Sequence, residues 1–192
     1  MVKVAIFHEG NSNKTYDNEL LKLLLQELEL PTQKVKFVGM GAKSNFFKLD
    51  NPNYKELHID IKREAISKVL FVVDADYVAN DSVYGGYSNC FAELQKIRQV
   101  LDIEDICDIY ITRDPSSDDG YLESLILSTI PQKEKECIED FLDCSEFKSK
   151  ENHKAILNQI YKLAYPNAPF DFSHPNFNEL KTKLKNLFEG MI

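Results

Sequence analysis

The chain has no Cys-x-x-Cys pair, no apolar run near the roughly 18 residues a spanning helix needs, and no excess of basic residues. Each absence closes off a class of protein. Cys90, Cys107, Cys137 and Cys144 stand apart from one another and from the scattered His8, His58, His153 and His174. Zinc-ligand spacing is therefore missing, and the thiols read as four separate reduced cysteines. Met1 runs straight into an apolar strand, with no charged-then-apolar leader; the expectation is a soluble, cytoplasmic protein with no membrane partner. With 31 Asp+Glu against 23 Lys+Arg the net charge is −8. That is the opposite of the broad basic footprint with which a protein grips nucleic acid through phosphates alone, although a local basic groove is compatible with it.

A composition 43% hydrophobic and 28% charged over 192 residues fits one well-cored domain with a small appendage. Charge is unevenly spread: residues 1–100 carry 13 Lys+Arg against 13 Asp+Glu, and residues 101–192 carry 10 against 18. The acidic second half offers a docking face for a protein partner.

Val2–Phe7, Lys34–Val38, Val69–Val73 and Asp108–Thr112 read as strands. Helical patterning between them spans Glu19–Leu28, Lys55–Lys68 and Ser88–Val100. Continuous apolar strands alternating with helices predict an α/β fold, about four parallel strands sandwiched by helices, over residues 1–118. Residues 119–192 read as a helical extension on the same domain, with helices at Tyr121–Thr129, Gln132–Leu142, Glu151–Leu163 and Asn178–Phe188.

Two of the apolar strands end in acid: the first runs into His8-Glu9-Gly10 and the third into Asp74-Ala75-Asp76. In parallel α/β sheets ligands gather outside the carboxyl ends of strands. Three carboxylates there stay ionised together only when a cation or strong donors hold them. Oxygen-only donors suit Mg²⁺ (or Mn²⁺), so Glu9, Asp74 and Asp76 are the candidate metal and catalytic residues. On extended backbone Asp74 and Asp76 would project to one side, with Cα atoms roughly 6 to 7 Å apart. Equally, Asp74 reads as a cap and Asp76 as a solvated turn residue. Gly10 lets the chain turn after Glu9, and Gly41-Ala42-Lys43-Ser44-Asn45 offers an ammonium and a hydroxyl beside a glycine. Gly10, Lys14, Lys43 and Ser44 are thus candidate phosphate contacts. Asp114 and Glu123 are candidate additions to the site, or helix-terminal caps. His8 is a candidate proton-transfer partner, and Tyr84 and Tyr87 candidate stacking residues.

Strand, Glu9-Gly10, helix, strand, helix, strand, Asp74-x-Asp76 resembles the Toprim domain of topoisomerases, bacterial primases and small nucleases, over roughly residues 1–115. The resemblance implies Glu9 as general acid or base at the scissile phosphate and Asp74 and Asp76 as Mg²⁺ ligands. Gly41–Asn45, Gly120-Tyr121-Leu122-Glu123 and Asp171–Pro175 are also similar to segments of standalone Toprim-related bacterial proteins. Many Toprim domains carry a further acid shortly after Glu-Gly, where this chain has Asn11-Ser12-Asn13-Lys14, a departure that bears on a second metal and on activity.

The functional expectation is Mg²⁺-dependent phosphodiester chemistry on DNA or RNA, as in a small Toprim-type nuclease. A topoisomerase or primase needs further domains than 192 residues hold. The alternative is a non-catalytic metal- or phosphate-binding module that docks a protein partner. A receiver-like phosphoacceptor domain ranks third, because Arg113-Asp114-Pro115 follows the last strand where that arrangement expects a lysine.

Overall fold

One sheet of four parallel strands, in the order β2-β1-β3-β4, organises the chain: β1 Val4–His8, β2 Val35–Gly39, β3 Lys68–Asp74 and β4 Cys107–Thr112. The computed structural model describes residues 3–10, 15–144, 156, 170 and 172–190. Side chains alternate across the sheet, as strand geometry requires. Val4, Ile6, Leu70, Val72 and Tyr110 face one helical layer, and Ala5, Phe7, Val69, Phe71 and Ile109 face the other. Both faces are covered, which is why β1 is apolar from Val4 to Phe7 and β3 from Val69 to Val73.

The first layer contains α1 (Tyr16–Glu27), α4 (Leu122–Leu127) and α6 (Asn178–Asn186). Leu20, Leu21, Leu24 and Leu25 of α1 share their core with Phe177, Leu180 and Leu184 near the chain's end. The C-terminal segment therefore completes a layer of the α/β domain. The second layer is α2 (Pro52–Lys62) and α3 (Tyr87–Val100), packed through Tyr54, Leu57, Cys90, Leu94 and Ile97. At its centre the Phe71 ring meets those of Phe7, Phe46 and Tyr54 within 6.1 Å. Truncating Phe71 to alanine is expected to cost about 3–5 kcal/mol. α5 (Gln132–Cys144) packs Leu142 into a small satellite core with Tyr121 and Leu127. No helix among the described residues is long and apolar enough to cross a membrane.

The four strands fall where their patterning places them, and the helices differ in their bounds. α2 starts at Pro52 instead of Lys55, because the Asn51 side chain accepts the Asn53 N–H at 2.9 Å and Pro52 occupies the first turn. It ends at Lys62, well short of Lys68, because Glu64 turns to φ 55° and breaks the helical path. Lys68 is instead the first residue of β3. The helix expected at Glu151–Leu163 lies outside the described residues, apart from Ile156.

This strand order has a functional consequence. The chain leaves β1 for β2 on one side and returns to β3 on the other, so the direction of winding reverses between β1 and β3. Ligands of open α/β sheets bind at that switch point, beyond the carboxyl ends of the two strands. Glu9 and Asp74 are the residues there.

Candidate metal centre

The pairing of β1 with β3 ends at His8 opposite Val72. Asp74 thus carries its N–H past the end of β1, where no strand carbonyl is left to accept it. Glu9 takes that place: its Oε1 accepts the Asp74 N–H at 2.8 Å. The two acid-tipped strands are joined at their tips by a carboxylate. Gly10 then reverses the chain at φ 92° and pairs with Gly41 through two backbone hydrogen bonds of 2.7 and 2.9 Å. A side chain at Gly10 would overlap Thr15, whose Cβ lies 2.9 Å from the position a Cβ would take.

His8 lies behind Glu9 on the α1 side and has no solvent exposure. Its Nδ1 is 2.6 Å from the Glu9 carbonyl oxygen and its Nε2 is 3.2 Å from the Asn18 amide nitrogen. A carbonyl only accepts, so Nδ1 carries the proton and Nε2 accepts from Asn18; the imidazole is neutral with both nitrogens satisfied. Burial lowers its pKa below the usual value, the bond to the Glu9 carbonyl opposes this, and the charge of Lys22 adds to it. His8 is thereby a fixed donor to the Glu9 backbone.

Asp74 is the last residue of β3 and is buried. Its Oδ1 accepts the Leu122 N–H at 3.0 Å, at the first turn of α4. Asp76 departs from the extended backbone assumed for an Asp-x-Asp pair: it adopts φ 57° and forms an isolated antiparallel bridge with Gly120. Such a backbone is strained for a residue with a Cβ, by about 1–2 kcal/mol. The two aspartates consequently engage different partners. Asp76 Oδ2 lies 3.4 Å from the Lys43 ammonium, which also donates to the Ala75 carbonyl at 2.6 Å. Lys43, in the short turn Lys43–Asn45 after β2, is buried and reaches across to the loop that follows β3.

Buried Cys90 on α3 registers how closely these charges gather. Burial pushes its thiol up to about 12, Lys43 opposes the rise, and Glu9, Asp76 and Asp74 add to it. All four charges act on a single sulfur.

Among the described residues no three His, Cys, Asp or Glu side chains converge into a ready-made ligand cage. Glu9 and Asp74 are joined through the Asp74 N–H, while Asp76 lies against Lys43. Mg²⁺ asks for no more than a pair, since it is held by one or two carboxylates and completes its octahedron with waters and phosphate oxygens. Each carboxylate has about four acceptor positions, so the Asp74 N–H on Glu9 Oε1 and the Leu122 N–H on Asp74 Oδ1 do not by themselves fill either group. The hard, oxygen-only donor chemistry fits the ion.

The other sequence candidates are placed differently. Ser44 is exposed on the Lys43 turn, while Lys14 lies outside the described residues, as do Asn11–Asn13 and Asp171. Asp114 accepts from the Ser116 N–H and hydroxyl and faces Lys135 at 3.4 Å. It lines a separate cavity of about 290 Å³ with Tyr77, Tyr121, Ser124, Lys135 and Glu139. Burial alone would raise its carboxyl, but Ser116 and Lys135 outweigh it and hold the group below the usual carboxylate value. Glu123 is buried in the first turn of α4. The Tyr84 ring stacks on Phe47 with centroids 4.3 Å apart, and the Tyr87 ring carries the Arg113 guanidinium at 4.3 Å and stacks on Phe91.

Sequence reasoning passed over Asn18 and the Leu122 N–H. Asn18, fully buried in the structure, carried one signal in the sequence, a polar residue two places before Leu20-Leu21; the Leu122 N–H carried none, since backbone donors are invisible in a sequence. Comparison with family models, with curated proteins and with solved structures found no match, so the reading of this site rests on its geometry.

Proposed function

We propose that the protein carries out Mg²⁺-dependent phosphodiester hydrolysis on nucleic acid, with the chemistry of a small Toprim-type nuclease. The observation that supports this reading above any other is the 2.8 Å bond that ties the Glu9 carboxylate to the backbone N–H of Asp74 at the β1/β3 switch point. Glu9 and Asp74 would hold the ion, which when bound neutralises phosphate charge and makes an attacking water more acidic. Glu9 moves the proton at its carboxylate, kept at the mouth of the site by the Gly10 turn and by the His8 bond to its carbonyl. Asp74, held by the Leu122 N–H, keeps one orientation throughout.

The test is cleavage of single- and double-stranded DNA and RNA with Mg²⁺ or Mn²⁺ by the wild type, Glu9→Gln and Asp74→Asn. The proposal expects turnover by the wild type and its loss in both variants; cleavage that survives both substitutions refutes it.

A second reading has its own support: Lys43 already compensates Asp76, and α5 presents Glu134, Glu139, Asp140 and Asp143. In that reading the site binds a cation or a phosphorylated ligand without turnover, and the acidic helix docks a protein partner. Cation binding with no cleavage of any substrate would favour it.

A further inference from the structure

Lys43 is the one buried cation at the switch point among the described residues, and its position limits what the site can accept. In the sheet order β1 lies between β2 and β3, so a side chain that starts after β2 and ends on the Ala75 carbonyl crosses the carboxyl end of β1. That end is the Glu9–Gly10 turn. Two short contacts fix the ammonium there, 2.6 Å to Ala75 O and 3.4 Å to Asp76 Oδ2, and the side chain is only 9% exposed. The same Ala75 carbonyl also accepts the Gly86 N–H at 3.0 Å, which anchors the acceptor to the start of α3. The Lys43 turn is itself pinned, because the buried Tyr54 hydroxyl donates to the Phe46 carbonyl at 2.6 Å. The ammonium is therefore a built feature and not a surface charge that happens to reach inward.

We propose that Lys43 is an internal cation that occupies Asp76, so that the centre takes one divalent ion, on Glu9 and Asp74, and not two. This rests on the metal-binding reading above and deepens it. Charge supports the count. Among the described residues the Lys43 ammonium offsets one carboxylate charge of Glu9, Asp74 and Asp76 and one divalent ion offsets the other two, so a second divalent ion would add excess positive charge to a partly desolvated site. Geometry supports it as well. Two-metal sites hold their ions about 3.5–4 Å apart, bridged by shared ligands. Asp76, the third of these acids, sits on backbone with φ 57° and has its Oδ2 3.4 Å from the Lys43 ammonium. Lys43 then serves as the fixed second positive charge toward a phosphate, the place a second ion would otherwise take.

Manganese stoichiometry tests this, read by titration calorimetry and by electron paramagnetic resonance on the full chain. The expected result is one Mn²⁺ per wild-type chain without spin coupling, and two per Lys43→Met chain. Lys43→Arg keeps the charge and is expected to stay at one. Asp76→Asn is expected to leave the count at one and to weaken binding less than Asp74→Asn, which costs at least about tenfold. The last two variants decide the matter even should Lys43→Met fail to fold. Two coupled ions in the wild type, or a well-folded Lys43→Met still limited to one, would overturn the inference and leave the metal reading standing. No bound Mn²⁺ at all would remove both.

Discussion

Replacing Gly10 with alanine asks two things of the backbone that carries Glu9, and the structure allows each to be sized. A φ of 92° lies where a side chain is strained, costing about 1–2 kcal/mol. The added Cβ would also stand 2.9 Å from Thr15 Cβ and closer still to its methyl group, so no rotation of Thr15 clears it and the chain must move. Overpacking of that kind typically costs about 1–3 kcal/mol. The two effects together predict a loss of about 2–5 kcal/mol. For a chain of this length that is a fall on the order of 10 °C in melting midpoint. Thr15→Ala removes the worst overlap and also a buried hydroxyl that has no hydrogen-bond partner among the described residues, so alone it is expected to be within about 0.5 kcal/mol of neutral. Urea unfolding of the wild type, both single variants and the double variant closes a cycle. The geometry predicts that Thr15→Ala recovers about 1–2 kcal/mol of the Gly10→Ala loss while the strain remains. Gly10→Ala at wild-type stability, or strictly additive single effects, would show that the Gly10 turn is not the constrained element described.

Three further outcomes follow from the same contacts. Because burial lowers the pKa of His8, the unfolded chain takes up that proton first as pH falls, so the stability His8 contributes is complete above about 6.5 and declines below it until the folded-state value is reached. In metal-free urea unfolding between pH 8 and 5, His8→Gln should flatten the decline by up to about 1.4 kcal/mol per pH unit; parallel curves would contradict a buried neutral His8. Cys90 and Cys107 are buried with raised thiol pKa values while Cys137 and Cys144 are exposed, so a disulfide reagent should label two thiols quickly in the native protein and four in denaturant. Rapid native labelling of all four would refute the packing of α3 and β4. Tyr54→Phe deletes the hydroxyl that holds the Phe46 carbonyl and should cost about 1–2 kcal/mol in urea, with the ring packing unchanged; an unaltered midpoint would mean that this bond does not anchor the Lys43 turn.

The sheet was legible because parallel strands buried on both faces have little choice but to be apolar, as Val4–Phe7 and Val69–Val73 are. Helix bounds were less so. The helical pattern reads from Lys55 onward, although Asn51 followed by Pro52 is an N-terminal signal, and the stop at Glu64 depends on a left-handed turn that glutamate does not announce. In the site, Glu9 and Asp74 could be found by asking where apolar strands end in acid, since strand ends and ligand sites coincide. Asp76 could not be followed beyond the strand, because an Asp-x-Asp spacing carries no information on where extended backbone stops. Lys43 beside glycines read as a surface group reaching for phosphate; only the strand order shows its ammonium crossing β1 to meet Ala75. His8 and Asn18 are ten residues apart and belong to different elements, so their pairing emerges only once α1 packs on β1.

If Glu9 and Asp74 together hold a divalent ion, Mg²⁺ must raise the thermal unfolding midpoint of the folded chain. An ion that binds only the folded chain at about 100 times its Kd adds about 2.7 kcal/mol, a rise of roughly 5–11 °C for a chain of this length. That rise is expected in the wild type and its loss in Glu9→Gln and Asp74→Asn, each with its own EDTA midpoint as reference. A wild-type midpoint that ignores Mg²⁺, or an equal rise in both variants, would contradict joint binding by Glu9 and Asp74.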